Sequence, residues 1–188
     1  MRKVLFMAAL LSSAIMASCG GQEEDPNTIV LFDGTSTEGW RGYGKDHMPA
    51  RWVVEDGCLK FNGSGGGEAQ TGEGGDIIFD QKFKNFELTF EWKISKGGNS
   101  GVFYLAQEIQ KEDGTYEPIY ISAPEYQILD NENHIDAGLG VDGNRKSASL
   151  YDMIPAKPQN SKGWGEWNTS KIVCYKGTVV HYQNDVPV

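Results

Sequence analysis

The sequence predicts an all-β fold of the sandwich or jelly-roll class. From residue 28 onward apolar and polar residues alternate with a period of two, and Gly, Asn and Asp separate these runs. No stretch carries apolar residues at helical spacing over the length of a core helix. Glycine makes up 24 of 188 residues, close to twice its usual share, as expected for many turns between short strands. Such a series of strands is typical of sandwiches and jelly rolls.

The clearest predicted strand spans residues 86–94. Every second residue from Phe86 to Ile94 is apolar, and the residues between them, Glu91 among these, are polar. This alternation predicts a strand with one buried face and one wet face. Residues 52–61 predict a hairpin, because Asp56-Gly57 favours the positive φ angles of a tight type I′ turn.

Six further strands are predicted. They lie at residues 29–32, 76–79, 102–105, 125–129, 167–175 and 179–183. Three predicted connections between strands are long: residues 63–75, 107–124 and 131–147. Connections of this length in a compact domain are usually functional or mobile. A turn at 184–185 begins a further strand at the very end of the chain, so we expect the sandwich to be truncated at its C-terminus.

The N-terminus has the pattern of a lipoprotein leader. Two basic residues precede an apolar run that is too short to span a bilayer, and residues 16–19, Met-Ala-Ser-Cys, resemble the bacterial lipobox. We expect a signal peptide at 1–18, an acidic linker at 19–28 that resembles the export tag of Bacteroidetes surface lipoproteins, and one domain at 29–188. Lipidation of Cys19 would anchor the protein at the outer membrane or cell surface. A plain secretory peptide is the alternative.

The net charge limits the classes of partner that the protein is expected to bind. With 26 acidic and 17 basic residues the chain carries a formal charge of −9, which disfavours nucleic acid and leaves the lipid anchor as the expected membrane contact. Cys58 and Cys174 both fall in predicted strands, and we expect them to be buried thiols and not a disulfide.

Carboxylate and amide side chains project from the strand at 125–129. Tyr126 and Ile128 are predicted to face inward, which places Glu125 and Gln127 together on the accessible face. Glu91 lies on the wet face of its own strand, and it would approach Glu125 if both strands belonged to one sheet. Paired carboxylates can divide acid and base work when their pKa values differ. An ordinary polar strand face is the alternative.

Loop aromatics favour a carbohydrate ligand. Trp40, Tyr43, Trp164 and Trp167 lie in Gly-rich turns and not in alternating runs. Aromatic faces stack on sugars while nearby polar groups bind hydroxyls, although each ring could equally pack under a loop.

The acidic loop at 130–136 carries possible ligands at alternate positions. Ile135 stands where an EF-hand needs Gly, and the pattern favours a solvated loop over any metal site. If a divalent metal binds, His134 with nearby carboxylates would suit a transition ion. The metal requirement is left unknown.

Five blocks, in order, carry a family resemblance. They are Leu-Phe-Asp-Gly at 31–34 with Gly-Trp at 39–40, Gly-Gly-Asn-Ser-Gly-Val-Phe at 97–103, Glu-Tyr-Gln-Ile-Leu-Asp-Asn at 125–131, Ser-Leu-Tyr-Asp-Met-Ile-Pro at 149–155, and Gly-Glu-Trp-Asn at 165–168. Over residues 29–188 the chain resembles the 3-keto-disaccharide hydrolase domain family. The resemblance implies a concanavalin-like jelly roll and cleavage of glycosides whose sugar is oxidised to a ketone at C3.

The resemblance also implies a chemistry. A C3 ketone acidifies the C2 hydrogen, so a base can remove it and the C1 substituent leaves by elimination before water adds back. The competing route is the two-carboxylate mechanism through an oxocarbenium ion. Glu125 is the first candidate base and His134 the second. The candidate substrate-binding residues are Glu91, Asn99, Gln127, Asp130, Lys146, Tyr151, Trp164 and His181, and Arg145 or Lys146 would stabilise an enolate.

The expected function is therefore an envelope-anchored enzyme that cleaves 3-keto-glycosides. A carbohydrate-binding, lectin-like module without catalysis is the main alternative, since one fold hosts both roles. A surface lipoprotein that binds a protein partner is a third reading that composition permits.

Overall fold

The computed structural model describes residues 2–6, 26–63 and 73–188, and for 2–6 the backbone alone. In these residues the chain forms short strands and two single-turn 3-10 helices, Ile119–Ile121 and Ile135–Gly138. The strands are β1 Arg2–Phe6, β2 Thr28–Phe32, β3 Trp40–Gly42, β4 Trp52–Glu55, β5 Cys58–Phe61, β6 Ile77–Phe79, β7 Phe86–Trp92, β8 Asn99–Phe103, β9 Glu125–Leu129, β10 Asn168–Tyr175, β11 Thr178–Gln183 and β12 Val186–Pro187. The predicted lipidation site Cys19 and most of the glycine-rich connection lie outside the described residues.

The largest sheet has six strands in the order β12-β11-β10-β7-β1-β2. Strand β10 pairs antiparallel with β7 and β11, whereas β1 pairs parallel with β2 and β7. Three further antiparallel pairs, β3 with β6, β4 with β5 and β8 with β9, complete the paired strands of the described residues. None of the described helical segments has the length and hydropathy needed to cross a bilayer.

The core lies between the six-stranded sheet and the β8–β9 pair. Phe90 of β7 meets Tyr126 of β9 edge-to-face, with ring centroids 5.5 Å apart. Tyr126 is fully buried, and its hydroxyl is hydrogen-bonded to Ser170 Oγ at 2.7 Å, which also accepts a bond from Trp92 Nε1 at 2.8 Å. This arrangement makes the molecule an all-β sandwich, as predicted, because one face of each sheet is covered by the other.

Most predicted strands are confirmed. The apolar face of β7 is buried, and Asp56 and Gly57 have φ angles of 52° and 72°, as the type I′ hairpin requires. Both Cys58 and Cys174 are free thiols. The prediction missed β1, which lies in the segment expected to be a signal peptide, and β3. It placed the strand expected at 102–105 too late, since β8 spans Asn99–Phe103 and Leu105 leaves the strand region with φ of 58°.

Candidate active site

The candidate site lies on the outer face of the β8–β9 pair. Glu125 stands directly opposite Phe103, and Gln127 stands opposite Gly101. Residues 148–151 extend this sheet beyond β9, because Gln127 N donates to Ser149 O at 3.1 Å and Tyr151 N donates to Glu125 O at 3.1 Å. Cross-strand neighbours share one face, so Glu125 lies in a row between Phe103 and Tyr151.

Gly101 creates the space that the Glu125 side chain occupies. A Cβ atom placed on Gly101 would overlap Glu125 Oε1 and crowd the rest of the carboxyl group. The carboxylate therefore leans over the bare backbone of β8. Gly101 is not among the glycines with positive φ, so the requirement for glycine at this position is steric and not conformational.

The surroundings of Glu125 favour its protonated form. Burial first, and then the negative charges of Asp76 and Asp136, together raise the pKa of Glu125 to about 7. Burial also raises the pKa of Asp76. A carboxyl group that titrates near pH 7 can take up or release a proton under physiological conditions.

Arg145 links Asp136, whose charge acts on Glu125, to Asp152. Its Nη1 donates to Asp136 Oδ1 at 2.9 Å, and its Nε and Nη2 donate to Asp152 at 2.8 and 3.0 Å. Tyr151 donates its hydroxyl to Asp136 Oδ2 at 2.8 Å, and the guanidinium lies 5.5 Å from the Tyr151 ring. Burial and the bond to Asp136 raise the pKa of Tyr151 to about 12, so the phenol stays protonated.

His134 contributes to this site through the backbone. It caps the 3-10 turn Ile135–Gly138, where its Nδ1 accepts a hydrogen bond from Asp136 N at 3.1 Å. The His134 ring thus fixes the backbone of Asp136, the residue whose carboxylate contacts Arg145 and Tyr151. The suggestion that His134 acts as base or metal ligand stays a prediction.

Three predicted site residues lie elsewhere. Gln127 was predicted on the accessible face but is only 1% exposed, and its Oε1 accepts from Ile128 N. Glu91 does not approach Glu125, since β7 and β9 belong to different sheets whose facing sides hold Phe90 and Tyr126. By alternation the two carboxylates point to opposite outer faces of the sandwich.

His181 is the third predicted site residue that lies away from the site. The ring lies in the core against Tyr126, with centroids 4.8 Å apart, and not in a cleft. Its Nδ1 donates to Ala148 O at 2.9 Å and its Nε2 is bonded to the Tyr104 hydroxyl at 3.1 Å. Burial lowers the pKa of His181, which keeps the ring neutral.

Asp130 is buried and organises its loop instead of facing solvent. Burial alone would raise its pKa, but backbone bonds from Gly97, Glu132 and Asn133 and the side-chain amide of Asn133 hold the pKa below its usual value. These bonds fix the turn before β8 against the turn after β9.

Asn99, Lys146 and Trp164 reach the surface at different places. Asn99 is exposed and shares the face of Glu125, two residues before Gly101. Lys146 lines a groove of about 370 Å³ with residues of the 137–143 and 156–159 segments. Trp164 is 47% exposed and lies 5.9 Å from Lys96 Nζ. Trp40 is no loop aromatic: it begins β3 and packs edge-to-face on Phe79.

Metal binding remains a prediction. Across residues 26–63 and 73–188 no three His, Cys, Asp or Glu side chains are grouped as a metal ion would require.

Sequence reasoning missed the residues that shape the environment of Glu125. Asp76 precedes β6, Asp136 lies in a 3-10 turn, and Gly101 belongs to another strand. Of these three residues, only Gly101 could have been noticed in the sequence. It lies inside a run of strand-like residues, where a glycine often marks the close approach of another group.

The fold and this site define an enzyme of the β-sandwich class. A strand positions an ionisable carboxylate on a rigid face, and its pKa is matched to proton transfer near neutral pH. Comparison with known proteins gives the family.

The chain belongs to the family of 3-keto-α-glucoside-1,2-lyase-like domains, whose sequence model matches residues 27–188. It is 55% identical over 224 aligned positions to a protein of Bacteroides thetaiotaomicron named 3-keto-disaccharide hydrolase, with 98% of this chain and 77% of the relative covered.

Solved structures agree with this assignment. A crystal structure of a proposed glycosyl hydrolase from Parabacteroides distasonis, at 1.70 Å resolution, is 28% identical and has a TM-score of 0.67, covering 84% of this chain and 68% of that one. A second from the same organism, 24% identical with a TM-score of 0.53 over 85% of this chain and 63% of that one, shows the fold alone.

Replacing Glu125 by Gln is expected to stabilise the fold increasingly as pH rises. The folded state holds the Glu125 proton up to a pKa of about 7, whereas the ordinary value is 4.5. The folded wild type therefore binds more protons between these values, and its free energy of unfolding falls as pH rises through them. The Glu125→Gln variant has no titrating group at this position, so its free energy of unfolding does not fall in this way.

The measurement is urea unfolding of both proteins from pH 4 to 9, with Glu112→Gln on the exposed surface as the control. The stability difference between the Glu125→Gln variant and the wild type should rise from about pH 4.5 to about pH 7 and then level off. A difference that is independent of pH would show that the Glu125 carboxyl group titrates normally.

Proposed function

We propose that the protein cleaves 3-keto-glycosides, with Glu125 as the base that removes the C2 proton. The observation that carries this proposal is the half-buried carboxyl group of Glu125, whose pKa of about 7 leaves a large ionised fraction at neutral pH. Family membership and the name of the Bacteroides relative support the substrate class.

The reaction follows from the acidity of a C–H bond beside a ketone. The Glu125 carboxylate takes the proton from C2, and the electron pair of that bond forms an enolate with the C3 oxygen. The C3 ketone then re-forms, the electron pair of the C2=C3 bond moves to make a C1=C2 double bond, and the C1–O bond breaks, so the leaving oxygen takes the pair of that bond and a proton. Water adds to C1 and a proton returns to C2, so the overall change is hydrolysis.

Neighbouring groups suit the other steps. Arg145 keeps its positive charge beside Tyr151, and we assign it to stabilise the enolate oxygen. Asn99 shares the face of Glu125 and offers an amide to a sugar hydroxyl. Asp76 and Asp136 disfavour a charged Glu125, so the proton that it accepts is bound more tightly than an exposed glutamate would bind it.

The decisive experiment compares a 3-keto-glucoside with the unoxidised glucoside, using the full chain. Only the keto form should be cleaved, and product formed in heavy water should carry deuterium at C2 beyond that from a blank without enzyme. Glu125→Gln should lower kcat by about 10²- to 10⁴-fold, because it removes the base. Cleavage of the unoxidised glucoside at equal rate, or product without deuterium, would contradict the mechanism. Binding without turnover would favour a lectin-like module.

Gly101→Ala tests the position of the carboxylate without removing it. The added methyl group must displace the Glu125 side chain, and a shift of about 1 Å can cost about 10²-fold in rate. The matched control is Gly63→Ala, where an added Cβ would meet no atom of the described residues within 4 Å. Thermal unfolding of both variants separates a displaced carboxylate from a damaged fold. Full activity of a folded Gly101→Ala protein would place the reacting carboxylate elsewhere.

We also propose that Cys19 anchors the enzyme in the cell envelope by a lipid. The support is the lipobox-like stretch at 16–19 after a short apolar run. Cells grown with labelled palmitate should label the wild-type protein and not a Cys19→Ala variant, and the variant should leave the membrane fraction. Equal labelling of both proteins would refute the anchor.

A further inference from the structure

Tyr151 is the cross-strand neighbour of Glu125. Tyr126 and Leu150 form an antiparallel bridge, and Tyr151 N donates to Glu125 O at 3.1 Å, so Glu125 and Tyr151 stand directly opposite each other. Side chains that stand opposite on paired strands share one face, with Cβ atoms about 5 Å apart. A sugar that gives its C2 proton to Glu125 therefore lies within reach of the Tyr151 side chain.

The Tyr151 hydroxyl has already used its only hydrogen. A phenol carries one O–H donor and lone pairs that accept. The hydroxyl donates to Asp136 Oδ2 at 2.8 Å, and burial raises the pKa of Tyr151 to about 12, so the hydrogen stays on the phenol at neutral pH. The Tyr151 oxygen therefore offers a ligand lone pairs and no donor.

Asp136 is held in the position that keeps Tyr151 in this state. It is only 7% exposed, its N donates to His134 Nδ1 at 3.1 Å, and its O accepts from Leu139 N at 3.0 Å. Arg145 Nη1 donates to Asp136 Oδ1 at 2.9 Å, which leaves Oδ2 to Tyr151. A polar group that is fixed before the ligand arrives costs less entropy when the ligand binds.

We propose that Tyr151 is a specificity-determining residue that accepts a hydrogen bond from the C2 hydroxyl of the 3-keto sugar, and that Asp136 is its positioning residue. The inference rests on the proposed function. The C2 hydroxyl is bonded to the carbon that Glu125 deprotonates, so no sugar hydroxyl lies nearer to the reacting bond. The C3 oxygen belongs to a ketone and has no hydrogen to donate. An acceptor at this point favours a C2 group that carries a hydrogen over one that does not.

A 3-keto-glucoside and its 2-deoxy-2-fluoro analogue, with the same leaving group, test this proposal. Fluorine resembles a hydroxyl group in size and electronegativity but cannot donate a hydrogen bond. The quantity measured is the ratio of the two kcat/KM values, parent over fluoro analogue. The wild-type ratio should exceed the ratio of the uncatalysed cleavage rates of the two compounds in alkaline buffer by at least about threefold, as expected for one neutral hydrogen bond.

Tyr151→Phe removes only the phenol oxygen and should lower the wild-type ratio by about three- to tenfold. Its control is Tyr120→Phe, at a tyrosine that is 58% exposed, which should keep the ratio. Both substrates depend on Glu125, so any change in the pKa of Glu125 cancels when the ratios are compared. Thermal unfolding of each variant checks that the fold is intact.

Asp136→Asn tests the positioning role while the Tyr151 oxygen stays in place. Arg145 can only donate, so the remaining side-chain oxygen stays with Arg145 and the new NH2 group faces the Tyr151 hydroxyl. The phenol then accepts from this group and its hydrogen is free to point at fluorine, so the ratio should fall at least about threefold. Asp152→Asn is the matched control, because Asp152 is the other carboxylate that Arg145 binds, and it should keep the ratio.

The outcomes separate this inference from the proposed function. A wild-type ratio equal to the uncatalysed one, or a folded Tyr151→Phe protein with the wild-type ratio, overturns the inference while turnover of the parent substrate leaves the proposed function standing. A ratio that falls in Tyr151→Phe but not in Asp136→Asn supports the acceptor and overturns the role of Asp136. Absence of wild-type turnover of the parent substrate overturns the proposed function itself.

Discussion

Partial removal of one carboxylate from water is the constraint on which the rest of the site depends. Strand β9 holds Tyr126 in the core and turns Glu125 to the opposite face. A side chain on the outer face of a sandwich would ordinarily be well solvated, yet Glu125 leans over Gly101 between Phe103 and Tyr151. The neighbours displace water, and that loss of hydration raises the pKa of Glu125 to about 7.

The same constraint explains how charge is distributed around the site. Three acidic groups near one another would repel, and the repulsion would push Glu125 further toward its neutral form. Arg145 and Tyr151 each donate to one oxygen of Asp136, whereas burial raises the pKa of Glu125. The two carboxyl groups therefore lie in different environments, which is the condition for assigning them different roles.

The sequence allowed the prediction of β9, of the buried face of β7 and of the face of β9 that carries Glu125. Period-two alternation is a local signal, and it is strongest where one face packs on a core. The errors at Gln127, Glu91 and His181 have another origin. Alternation assigns a side chain to a face but does not reveal whether that face is covered, and both Gln127 and His181 are buried.

The residues that set the pKa and the position of the Glu125 carboxyl group could not be predicted from strand alternation, because they come from separate segments of the chain. Asp76, Asp136 and Gly101 meet Glu125 only through tertiary packing. The predicted residues His134 and Asp130 acquire a different meaning from the structure. His134 holds the backbone of Asp136, and Asp130 fixes the turn from which β8 carries Gly101 under the carboxylate. A rigid strand supplies the reactive group, and the loops supply its electrostatic setting through bonds that their backbones make.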